Sequence, residues 1–295
     1  MIIVIAGPTG VGKTKMSIEL AKLYNGEVIN ADSTQVYKEM NIGTAKVTEK
    51  EKDGIVHHLI DIKDITDNYT VYDYQKDCRQ VIDDILSRGK TPILVGGTGL
   101  YIKAALYNYT FEKEESNEID YSDFTNEELY SKLLEIDKDT DIHMNNRKRI
   151  IRALNYYNNH KQSISNNKDG NNLLYNDVLF IGLTTDRELL YKRINDRVDI
   201  MLNEGLIEEA KYFYDKKINS KAIMTPICYK ELFEYFNNNC DLNTAIELIK
   251  QRSRRYAKRQ YTFFNHQLPV KWFNVDFNNF NNTVNEVSEY IKKAD

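Results

Sequence analysis

Apolar positions along this 295-residue chain fall into two kinds of run. Short β-branched stretches bounded by glycine or turn residues read as strands buried on both faces: Ile2 to Ala6 (IIVIA), Ile93 to Val95 and Val178 to Gly182 (VLFIG). A further short strand, Glu27 to Asn30, follows Gly26. Between them the spacing turns helical. Lys13 to Tyr24 places Met16, Leu20 and Leu23 on one face, Val71 to Arg88 runs into Gly89, and a third helix starts near Leu100. Strands alternating with helices predict an α/β fold with a parallel sheet flanked by helices. From Glu112 to Asn176 no strand pattern occurs; the segment is charged and helical and closes on a polar loop at Ser163 to Asn172. The pattern therefore predicts an α/β core over 1–111 and 177–295, with an all-helical insertion domain over 112–176. Long helical patterns at Glu188 to Tyr214 and Leu242 to Phe264 finish the core.

Charge and cysteine usage narrow the classes. Forty Lys and Arg against 44 Asp and Glu give a net charge of −4, so any nucleic-acid binding must come from local basic patches. No apolar run is long enough to span a bilayer, which predicts no membrane partner. Met1 to Ala6 has no basic flank and ends in a glycine turn, a strand and not a signal peptide. Cys78, Cys228 and Cys240 are odd in number and lack metal-ligand spacing, as expected of a cytoplasmic protein.

The first strand leads straight into chemistry. Gly7-Pro8-Thr9-Gly10-Val11-Gly12-Lys13-Thr14 has the form G-x-x-x-x-G-K-[ST] between a strand and a helix, a P-loop. Its glycines let several backbone N–H groups converge on one anion, and the helix N-terminus adds positive potential. Lys13 supplies an ammonium for phosphate, and Thr14 a hydroxyl ligand for Mg²⁺. The core is thus P-loop NTPase-like, yet the strand Ile93 to Val95 ends in Gly96-Gly97-Thr98-Gly99, where an NTPase would carry a metal-binding Asp. An Asn-Lys-x-Asp guanine segment is missing too. A simple ATPase or GTPase switch is disfavoured. Asp32 ends the second strand at the carboxyl edge, where open α/β sheets bind ligands. By residue type it is either a general base or a helix N-cap. Two basic clusters complete the inventory: Arg147, Lys148, Arg149 and Arg152, and Lys250, Arg252, Arg254, Arg255, Lys258 and Arg259 with Tyr256 and Tyr261 between them. Each is either a solvated helix face or a phosphate-backbone contact. His57, His58 and Asp61 read as structural.

Several stretches together resemble the bacterial tRNA dimethylallyltransferases: GPTGVGKT at 7–14, NADSTQVYKEMNIGTAK at 30–46, HHLIDI at 57–62 and GKTPILVGGTGLYIKA at 89–104. RKRIIRAL at 147–154, RINDRVDIMLNEGL at 193–206 and YAKRQ at 256–260 follow in the family's order. The resemblance implies Mg²⁺-dependent transfer of a dimethylallyl group from dimethylallyl diphosphate to N6 of the adenosine at position 37 of tRNA. It places the general base at Asp32 and the diphosphate on Gly7 to Thr14. It assigns a substrate contact to Thr98 and a clamp on the leaving diphosphate to Arg197. The target nucleotide falls to Asp32, Ser33, Thr34 and Gln35. The tRNA anticodon stem-loop is expected to meet Lys148, Arg149, Ile150, Ile151 and Arg152, and Arg255 and Arg259, on a monomeric protein. Two positions depart from the family: Cys228 stands where Gly is usual, and Phe263-Phe264-Asn265 where Trp-Phe-Arg is usual. The rivals are a P-loop nucleoside or nucleotide kinase and a non-catalytic RNA-binding P-loop protein.

Overall fold

The computed structural model describes residues 1–111, 119–163, 165 and 172–294. It divides into two compact units, Met1–Leu106 with Leu174–Asp295, and Tyr107–Leu173. The predicted loop at 163–172 lies mostly outside the described residues, as does the start of the predicted insertion at 112–118.

In the larger unit six parallel strands form one sheet in the order β3-β2-β4-β1-β5-β6 among the described residues. The strands are β1 (Ile2–Ala6), β2 (Gly26–Asn30), β3 (His57–His58), β4 (Thr91–Val95), β5 (Val178–Thr184) and β6 (Lys271–Asn274). β1 is central and buried at every residue, which is why its sequence is an unbroken apolar run with no alternation. Ile3 pairs with Ile93 on one side and with Leu179 on the other. Helices α1 (Lys13–Leu23) and α12 (Phe280–Ala294) supply core residues Met16, Leu20, Val284, Val287 and Ile291.

All strands being parallel, their carboxyl ends share one edge. The chain leaves β1 towards β2 on one side, whereas from β4 it goes on to β5 on the other. The loops after β1 and β4 therefore diverge and open a crevice between them, the usual ligand position in such sheets.

The core strands and α1, α3 (Val71–Ser87) and α4 (Gly99–Leu106) fall where the pattern predicts them. One expectation fails. The helical stretch at 188–214 is two helices, α7 (Arg187–Asn203) and α8 (Leu206–Asp215), because Gly205 takes φ 102° and turns the chain. The late helix α11 runs Leu242–Gln267, capped by the Asp241 carboxylate accepting Thr244 N–H.

The smaller unit holds α5 (Asn126–Ile136), started by a capping box between Thr125 and Glu128, and α6 (Arg147–His160). Leu129, Leu133, Ile142, Ile150, Ala153 and Leu154 form its core.

Candidate active site

The loop after β1 has the backbone geometry that suits an anion. Gly7 takes φ 142°, and a Cβ there would stand 2.6 Å from the Leu183 carbonyl oxygen, so no other residue fits. Gly12 takes φ 91° and precedes α1 without a side-chain cap. The first N–H groups of the helix are thereby left for a ligand. Lys13 Nζ donates to the Pro8 carbonyl 2.8 Å away, curling back over the loop. Burial, and secondly the Arg197 charge, lower its pKa to about 7, with Asp32 opposing. Thr14 is exposed at the first turn of α1.

Arg197 on α7 is no free surface charge. Its guanidinium donates to the Thr9 hydroxyl at 2.9 Å and reaches the Ala45 carbonyl at 3.5 Å. Burial lowers its pKa, while Asp32 and Glu51 favour the charge. One turn earlier Arg193 Nε donates to the Gly10 carbonyl at 2.9 Å and its guanidinium lies 3.8 Å from the Phe277 ring centroid. Two arginines of one helix thus brace the loop, and with Lys13 they concentrate positive charge there.

Asp32 follows β2 on the same edge. It caps no helix: its Oδ1 accepts the Thr34 N–H at 3.0 Å and the Thr34 hydroxyl at 2.7 Å, an Asx turn closing the strand end. Oδ2 takes no hydrogen bond among the described residues. The charge of Asp32 raises the pKa of Lys13, Arg197, Tyr101 and Tyr256 alike, so the carboxylate lies near all four. Thr98, in the glycine turn after β4, accepts the Ser33 N–H at 3.1 Å and lies 3.3 Å from the Ser33 hydroxyl. Tyr256 of α11 lies beside Thr98; burial first and Asp32 second push its pKa up to about 12. Gln35 donates to the carbonyls of Thr44 and Ala45, both at 3.2 Å. In this arrangement it holds the following loop.

Glu209 of α8 fixes the same loop by accepting the backbone N–H groups of Asn41, Ile42 and Gly43 at 2.8–2.9 Å. Tyr229 donates its hydroxyl to Glu209 at 2.8 Å. Cys228 packs under Gly43 with φ 156°, a conformation natural to glycine. Sequence reading missed Arg193, Glu209 and Gln260. Arg193 and Gln260 lie inside quoted motifs, at the start of RINDRV and the end of YAKRQ, and only their partners reveal what they do.

The basic clusters divide into structural and free charges. Arg147 donates to the carbonyls of Tyr121 and Phe124, at 2.6 and 2.7 Å, and so holds the smaller unit together. Lys148, Arg149 and Arg152 are exposed and Ile151 is half-buried. Ile150 is a correction: it is 0% exposed in that unit's core, so it packs α6 and is not a surface contact. On α11, Arg252 pairs with the buried Glu231, Lys250 with Asp199 and Arg254 with Asn195. Arg255, Lys258 and Arg259 are the exposed cations of that helix. Among the described residues no helix is long and apolar enough to cross a membrane.

The tRNA dimethylallyltransferase of Anoxybacillus flavithermus is 47% identical over 299 residues, covering 99% of this chain and 96% of its own. The tRNA delta(2)-isopentenylpyrophosphate transferase of Staphylococcus epidermidis has a crystal structure similar at TM-score 0.76 and 42% identity, over 100% of this chain and 99% of that one. A eukaryotic dimethylallyltransferase captured in crystals acting on tRNA is similar at TM-score 0.83 and 32% identity, over 99% of this chain and 78% of its own. Residues 35–267 match the sequence model of the IPP transferase family, and with relatives this similar over nearly the whole length, the chain belongs to that family.

Proposed function

We propose that this enzyme transfers a dimethylallyl group from dimethylallyl diphosphate to N6 of the adenosine at position 37 of tRNA, beside the anticodon, releasing diphosphate. The tRNA dimethylallyltransferase activity itself is the one its relatives are named for. One observation carries the finer reading: a phosphate loop with Lys13 and Arg197, and a carboxylate with one oxygen left over, Asp32, share one sheet edge and one electrostatic field.

The exocyclic amine of adenine is a weak nucleophile, because its lone pair is delocalised into the ring. Oδ1 of Asp32 is held by Thr34, and Oδ2 is left to accept an N6 hydrogen, which holds the amine in line and takes its proton as the C–N bond forms. The allylic C–O bond breaks as that bond forms, and the electron pair leaves with diphosphate. The growing negative charge is received by Lys13, Arg197 and the amides of Gly10 to Thr14. Arriving diphosphate draws Lys13 from the Pro8 carbonyl and restores its full charge. Thr98 and Tyr256, side by side, wall the acceptor side. An adenine stacked in its loop cannot reach a carboxylate at a sheet edge, so the base is splayed out of the RNA.

Magnesium fits this donor set. The described residues contain no group of three or more acidic, His or Cys side chains able to hold a metal. The Thr14 hydroxyl, donor phosphate oxygens and water would hold the ion, as Mg²⁺ prefers at phosphate sites, and it would neutralise charge on the diphosphate. Exposed Arg255 and Arg259, and Lys148, Arg149 and Arg152 on the smaller unit, offer contacts to the phosphate backbone of the anticodon stem-loop. The protein is taken to work as a monomer in the cytoplasm.

Incubating the protein with an unmodified tRNA transcript, labelled dimethylallyl diphosphate and Mg²⁺ tests the reading. Mass spectrometry should find the label on one adenosine next to the anticodon. Label elsewhere in the tRNA, or none with a folded protein, rejects it.

A further inference from the structure

The inner face of α11 carries one polar side chain with no role in the chemistry above. Gln260 is 5% exposed. Its Oε1 accepts the Thr9 N–H at 3.1 Å and its Nε2 donates to the Gly97 carbonyl at 3.0 Å. A single planar amide thus spans the two loops that diverge at the carboxyl edge, the phosphate loop after β1 and the glycine turn after β4. Each end continues into the site. Thr9 passes by its hydroxyl to Arg197, and Gly97 precedes Thr98, whose hydroxyl receives the Ser33 N–H beside Asp32. Tyr256, one turn back on α11, lies beside both Thr98 and Gln260. The turn is shaped to admit this amide, because a Cβ at Gly97 would overlap the Gln260 nitrogen.

We propose that Gln260 is a positioning residue for the transfer reaction, one that sets the spacing between the donor cradle and the acceptor edge and so brings Arg197 and Asp32 into register. This rests on the transfer reading given above. A carboxamide both accepts from one loop and donates to the other across a rigid plane. A side chain of equal bulk without those groups leaves a buried N–H and a buried C=O unpaired, and the loops must shift to satisfy them. Such a shift should fall on donor use and turnover. RNA binding should be spared, because the exposed Arg255, Lys258 and Arg259 point out from α11.

The test begins with wild-type transfer of label to tRNA, whose absence would reject the underlying reading and not this one. Gln260→Met and, separately, Gly97→Ala are then compared with wild type. Gly97→Ala leaves the Gln260 amide chemically intact but displaces it. At saturating tRNA, kcat/KM for dimethylallyl diphosphate should fall about 10- to 100-fold in each, the effect of one or two unpaired buried groups. The KM for donor should rise while the Kd for tRNA stays within twofold. Should Gln260→Met not fold, Gly97→Ala carries the same expectation. Donor kinetics within threefold of wild type in a folded variant, or a loss confined to the fraction of active protein with KM unchanged, would overturn the proposal.

Discussion

Lys13 gives the sharpest quantitative consequence of the site. Its pKa in the free protein is lowered to about 7 by burial and by the Arg197 charge. A bound diphosphate brings negative charge against the ammonium and raises that pKa towards the ordinary lysine value of about 10.4. Binding therefore takes up a proton wherever Lys13 is neutral beforehand. The Lys13 contribution to binding is complete well below pH 7 and is lost progressively as pH rises from there to the bound-state pKa. With a free pKa near 7, about half of Lys13 is charged at pH 7 and about one part in thirty at pH 8.5. Donor affinity should thus weaken about fifteenfold between those pH values. Titration calorimetry with inorganic diphosphate, in buffers of different ionisation enthalpy, reads both the affinity and the protons taken up. The ligand's own ionisation adds a slope of its own, so Lys13→Arg, charged at every pH, serves as the control. The prediction is a steeper loss for wild type than for Lys13→Arg. Equal slopes, or no difference in proton uptake near pH 8, would refute the assigned state of Lys13.

Other outcomes follow from the same structure. Removing Arg255 and Arg259 together should weaken tRNA binding and lower the slope of log affinity against log salt by about 2 in filter-binding assays. Ile150→Ala should destabilise the smaller unit by about 2–5 kcal/mol in denaturant melts, whereas Lys148→Ala should move its stability by less than about 0.5 kcal/mol and weaken tRNA binding. At Cys228, with φ 156°, the usual order of stability is expected to invert. Cys228→Gly should be more stable than Cys228→Ala by about 1 kcal/mol in thermal unfolding, since only glycine relieves the backbone.

The legible parts of the fold are those whose local pattern and tertiary role coincide. β1 is buried on both faces and so is apolar throughout, and the P-loop is a contiguous run whose glycine positions are dictated by backbone geometry. Elements decided by distant partners were not legible. β3 is two histidines long and pairs with β2 at the sheet edge, and β6 has the mixed sequence KWFN of an edge strand. The break at Gly205 hides within an otherwise helical rhythm that a single glycine need not interrupt. The site divides in the same way. Asp32 and Thr98 follow from strand ends, but Gln260 and Glu209 act on loops far away in sequence, and no local spacing announces such a contact. Charge counting could not separate Arg252, tied to Glu231, from the exposed Arg255 one turn along. Ile150 stands among the tRNA contacts that the resemblance implies, and its burial marks the opposite face of the same helix.

Asp32→Asn examines the central claim most directly, because it keeps the shape and the Asx turn while removing the base. In single-turnover assays with saturating tRNA and labelled dimethylallyl diphosphate, transfer to adenosine should slow by roughly 10²- to 10⁴-fold. Affinities for tRNA and diphosphate should stay within a few-fold of wild type. Transfer by Asp32→Asn at close to the wild-type rate would contradict the account, leaving the carboxylate as scaffold and the source of nucleophile activation elsewhere.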